Sequence, residues 1–81
     1  MRVETVNSHK VVCGHIFPKD KLKVGQRWTP ADGADRVVEI RSLETDKGGT
    51  VWVQYGVHAE DRTYETDWFN FQCRFCLIVE N

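Results

Sequence analysis

The sequence predicts an all-β domain: a small antiparallel barrel or rolled sheet, with one short helical turn before its last strand. Two observations carry that expectation. Short apolar stretches recur along the 81 residues between tight, polar turns, and no linker, repeat or low-complexity segment interrupts them. The stretch from Thr50 to Val57 is dense in β-branched and aromatic side chains. Closure into a barrel would also hide strand edges that a Val- and Trp-rich chain could not safely expose.

Residues 1–9 show no clear pattern and read as a loose arm or an edge strand, leaving 10–81 as the single domain. Lys10 to Phe17 reads as a short strand, and Pro18 both extends Phe17 and opens a turn through Lys21. Gly25 is a bend before a second strand over Gln26-Arg27-Trp28-Thr29, and Asp32-Gly33 marks a turn with positive φ. Residues 36–43 alternate, with Val38 and Ile40 on one face and Glu39 and Arg41 on the other. Lys47-Gly48-Gly49 forms a hairpin tip. The next strand puts Val51, Val53, Tyr55 and Val57 on one face and Trp52, Gln54 and Gly56 on the other. A polar turn over 58–62 and a short strand around Thr63-Tyr64-Glu65 follow. Thr66 or Asp67 then caps a helical turn through Phe71, and a last strand runs from Phe75 to Val79.

This layout resembles that of small SH3-like barrel proteins, several of them carried by phages and mobile elements. The resemblance spans roughly residues 22–79. It lies in Val24-Gly25-Gln26-Arg27-Trp28, the Asp-Gly turn, Val37-Val38-Glu39-Ile40, Val51-Trp52-Val53-Gln54-Tyr55 and the late Trp68-Phe69 with Phe75. It implies an SH3-like roll used for binding rather than catalysis. A short plasmid-borne reductase uses such a barrel with a valine-glutamine-isoleucine-tyrosine segment. Val53-Gln54-Tyr55 lacks the intervening aliphatic residue, so that activity does not carry over.

The net charge of -1 hides a polarity. Residues 1–30 carry six Lys/Arg against two acidic side chains, whereas residues 31–81 carry five against ten. The small total disfavours a general nucleic-acid binder, which needs a summed positive field, and equally a polyanion mimic. The start, Met1-Arg2-Val3-Glu4-Thr5, has no apolar signal core, and no apolar run approaches a membrane span. Cytoplasmic residence without a membrane partner is the expectation. Three cysteines cannot all pair within one chain, which suits a reducing compartment.

Cys13-x-His15 and Cys73-x-x-Cys76 have the donors of a tetrahedral zinc site, the one cofactor these residues suggest. Cys13 and His15 would share a strand face roughly 6.5–7 Å apart, and Gly14 would let the strand bend. Pairing of the first and last strands would unite the two halves. The competing reading needs no cofactor. It makes the cysteines ordinary small apolar residues, with Cys73, Phe75, Leu77 and Val79 facing inward and Cys76 outward. Arg74 and Phe75 favour it, because thiolate-lined turns prefer smaller residues.

No catalytic constellation is expected. Cys13 and His15 lack an orienting acid and an oxyanion hole, and Asp32, Asp35, Glu60 and Asp61 read as solvated turn carboxylates. Binding is the better prospect, because Trp28, Trp52, Tyr55, Tyr64 and Trp68 exceed what one small core face needs. The expected function is a protein-interaction module, contacting a partner protein or its own copy. Trp52 is the expected exposed anchor, rimmed by Glu39 and Arg41, and the loop of Lys19, Lys21 and Lys23 offers a basic patch to an acidic partner or a phosphate backbone. The alternatives are a nucleic-acid-binding module using the basic N-terminal third and a small structural zinc domain.

Overall fold

The computed structural model describes residues 2–57 and 59–79. They form seven strands: β1 (Arg2–Val6), β2 (His9–Cys13), β3 (Arg27–Pro30), β4 (Val38–Thr45), β5 (Val51–Val57), β6 (Tyr64–Asp67) and β7 (Phe75–Ile78). A 3-10 turn over Lys19–Lys21 and one helix, α1 (Trp68–Arg74), complete the fold. Every strand pairing is antiparallel, in the order β1-β2-β7-β3-β4-β5-β6.

The sheet does not close into a barrel. The chain leaves β6 through α1 and returns as β7 between β2 and β3, so β6 stays at one end of the sheet. The opposite end of the sheet is β1. It pairs with β2 from Arg2↔Cys13 to Val6↔His9 around a turn in which Asn7 and Ser8 both take positive φ. The Asn7 side chain donates to the Gly33 and Ala34 carbonyls at 3.0 and 3.3 Å, tying that tip to the 31–35 turn.

The core forms where the inward rows of β3, β4 and β5 meet α1. Leu22, Trp28, Val38, Ile40, Val53, Tyr55 and Phe71 make one buried cluster. Trp28 and Phe71 meet edge to face with ring centroids 5.0 Å apart. Large rings fully withdrawn from water supply about 1.5–3 kcal/mol each, which is how so short a chain holds a rolled sheet. Alternation along β4 is broken by a bulge between Ile40 and Ser42. The extra residue carries Arg41 away from the ladder and brings Leu43 back against the core.

Helix α1 starts as the sequence predicts. The Asp67 carboxylate accepts from the backbone N–H of Phe69 at 3.0 Å and of Asn70 at 2.8 Å. Those bonds, that from Asn70 first, hold the Asp67 carboxyl below the usual carboxylate range. The helix buries Phe71 and Gln72. Gln72 accepts from Phe17 N at 2.7 Å and donates to Phe17 O at 3.1 Å, clamping the strand-free segment after β2 onto the helix. No helix among the described residues is long and apolar enough to cross a membrane.

Candidate interaction surface

Pairing of β2 with β7 brings the two cysteine-bearing ends together, but not as a metal centre. The register Val11↔Ile78, Val12↔Leu77 continues to Cys13 and Cys76, whose Cα atoms lie 4.9 Å apart and whose sulfurs form a disulfide. A bridged sulfur is not a thiolate ligand. Cys73 lies on α1, exposed and unbridged, and His15 is exposed with its ring edge-on to Phe17 at 4.6 Å. Among the described residues no three His, Cys, Asp or Glu side chains are grouped to hold a metal ion. The expected zinc set of Cys13, His15, Cys73 and Cys76 is therefore not assembled. The core reading needs correction too: Cys76 is buried and Cys73 exposed, because α1 runs through Arg74 and resets the alternation. With two cysteines bridged, the odd-cysteine argument for a reducing compartment loses its premise.

Trp52 lies on the face opposite Val53 and Tyr55, as expected, but it is half-buried and already engaged. Its indole Nε1–H donates to Asp46 Oδ2 at 3.0 Å, the leading cause of a lowered Asp46 pKa. Its cross-strand neighbours are Glu44 and Asp67, not Glu39 and Arg41. The hairpin register sets the difference, since even without the bulge Trp52 would face Leu43, four residues from Glu39. Glu39 sits opposite Gly56. Arg41 donates to the carbonyls of Val57, Asp61, Arg62 and Glu60 and to Thr63 Oγ1, acting as an internal tie for the β5–β6 connection. Lys19 Nζ donates to Gly49 O at 2.8 Å, joining the 3-10 turn to the β4–β5 hairpin tip. Lys21 and Lys23 are exposed beside it.

The more open aromatic surface is on the other face. Tyr55, at the centre of β5, stacks on Tyr64 of β6 at 5.7 Å and meets Phe75 of β7 edge-on at 5.3 Å. Phe75 in turn stacks on Phe71 at 4.9 Å, so the cluster runs from the core to solvent. Tyr64 is 43% exposed and forms its outer wall. These rings, with Val38 and Val57, floor an open groove of about 610 Å3 between the unclosed edge of the sheet and the turn after β3. Arg36 and Arg74 also line it.

Local structure fixes this groove. Tyr55↔Tyr64 is a registered cross-strand pair, which holds the two rings in one row. Pro30↔Phe75 fixes the facing wall. Thr29, fully buried, donates its hydroxyl to Arg36 O at 2.9 Å, and Ala31 N donates to Arg74 O at 2.8 Å. Both arginines are thus mounted on the end of β3. Sequence reasoning flagged Tyr55 and Tyr64 as surplus aromatics but missed Phe75, Arg36 and Arg74 as neighbours.

The chain matches no protein-family model, no curated protein and no solved structure closely enough to be placed in a family.

Proposed function

We propose that this protein is a non-catalytic interaction module that binds a protein partner through the aromatic groove of Tyr55, Tyr64 and Phe75. One observation carries the reading: a continuous ring cluster opens into a concave, rigidly mounted surface instead of ending inside the core. Tyr and Arg are the side chains that most often anchor interfaces, because they combine large apolar area with a polar end. The resemblance to small SH3-like binding modules points the same way. Self-association and a cytoplasmic setting remain part of this proposal, the second requiring a domain that stays folded with its Cys13–Cys76 bridge reduced.

Selection of a displayed random-peptide library on the immobilised chain tests it, with Tyr64→Ala and Trp52→Ala chains as parallel baits. The reading predicts enriched peptides that lose binding to Tyr64→Ala and keep it on Trp52→Ala. Peptides retained by Tyr64→Ala and lost on Trp52→Ala would move the interface to the opposite face. Absence of enrichment over an empty support would contradict peptide docking altogether.

A further inference from the structure

The groove's charge distribution identifies a partner class, an inference that rests on the groove being the docking surface. Residues 31–81 are acidic, with five basic side chains against ten. Arg41 is consumed by backbone carbonyls, and Arg62 interacts with Tyr64 and Glu60. Lys47 sits at the β4–β5 hairpin tip. The two that remain, Arg36 and Arg74, both line the groove. Both are exposed, and neither guanidinium has a hydrogen bond or ion pair among the described residues.

One acidic residue lines the same groove. Asp32 Oδ1 accepts the Ala34 N–H at 2.9 Å within its own turn, so this carboxylate is held by the turn's backbone rather than by either arginine. An apolar aromatic floor therefore carries two unspent guanidinium groups on one backbone mount, in the acidic part of the chain. Guanidinium groups in such a position bind carboxylates by charge-assisted, often paired hydrogen bonds. The groove also runs beside β6, the end strand of the sheet, where an extended chain can lie along an unpaired edge. In an extended chain, side chains alternate between faces every residue, which suits a floor of rings under a charged rim.

We infer that the groove takes an extended acidic peptide segment of a partner protein, with its apolar side chains on Tyr55, Tyr64 and Phe75. Its carboxylates lie on Arg36 and Arg74. A basic segment would meet two like charges, and a neutral one would leave both guanidinium groups unused.

The test uses three capped nonapeptides, alternating leucine with glutamate, glutamine or lysine, titrated into the 15N-labelled full chain. The glutamate peptide is expected to shift the amide signals of Tyr64 and Phe75. It should bind about tenfold more tightly than the glutamine peptide, with the preference shrinking as salt rises. Arg36→Gln and Arg74→Gln should each weaken it about threefold to tenfold. The Arg36→Glu/Arg74→Glu double variant should prefer the lysine peptide, and that reversal a misfolded chain cannot produce. Equal groove binding by all three peptides would overturn the acidic preference and leave the docking surface standing. Shifts that avoid Tyr64 and Phe75 with every peptide would overturn both. Stronger shifts of the same signals by an oligothymidylate would reassign the arginines to phosphate.

Discussion

Reducing the Cys13–Cys76 bridge should cost this domain a large part of its stability. The bridge joins residues 63 apart in sequence, so it removes most of the chain's loop freedom from the unfolded state. Chain-entropy reasoning for a loop of that length gives about 4 kcal/mol. A domain of this size is expected to have roughly 4–12 kcal/mol in total, at 0.05–0.15 kcal/mol per residue. At about 4–8 °C per kcal/mol, the melting midpoint should fall by roughly 15–30 °C. Circular dichroism melts with and without a phosphine reductant measure this directly. Cys73→Ser should retain the full reductant sensitivity, because Cys73 is the unbridged thiol. Cys76→Ala should melt low under both conditions. Thiol titration of the native, unreduced chain should find one reactive group, on Cys73. A wild-type midpoint indifferent to reductant, or a Cys73→Ser chain that loses the response, would refute the pairing and the cross-strand register that produces it.

Three further outcomes follow from side-chain geometry. A Cβ at Gly56 would lie 2.5 Å from the Arg41 guanidinium carbon and 2.6 Å from the Arg62 carbonyl oxygen. Gly56→Ala should therefore cost about 2 kcal/mol in urea unfolding and expose the β5–β6 connection to proteolysis. Gln72→Ala strips both polar partners from the Phe17 backbone, and a loss of about 2 kcal/mol is expected by the same assay. Acid should unfold the domain partly through Asp67, whose carboxyl is lowered mainly by its bond from the Asn70 N–H. A depressed carboxylate adds stability that is complete above the unfolded group's pKa and is lost as pH falls through the lowered folded value. The loss should appear below about pH 4. Asp67→Asn should flatten that limb of the stability profile, and an unchanged acid limb would contradict the cap's role.

Features set by neighbouring residues were legible in the sequence. The alternation of Val51, Val53 and Tyr55 placed the inward face of β5, and Thr66-Asp67 before Trp68-Phe69 announced a cap for α1, which Asp67 fills. Gly33 takes positive φ in its Asp-Gly turn, as the dipeptide suggests. What depends on distant pairing was not legible. Nothing local says that β7 enters between β2 and β3, and that choice leaves the sheet open and creates the groove. The partner of Trp52 is Glu44 rather than Glu39, because the β4–β5 register is counted from the hairpin tip and not from which residues share a face. Cys13 and Cys76 were seen as chemically special, but meeting as an opposed strand pair makes them a disulfide instead of ligands. Gln72 gave no signal, since a glutamine in a helical turn is ordinary until its acceptor and donor find one backbone residue.

Mapping amide signals of the 15N-labelled chain as it binds a peptide from the library selection tests the central claim most directly. The account predicts perturbations concentrated at Val38, Tyr55, Val57, Tyr64 and Phe75, on the groove face. Perturbations concentrated at Glu44, Trp52 and Asp67 on the opposite face, or at Lys19, Lys21 and Lys23, would contradict it.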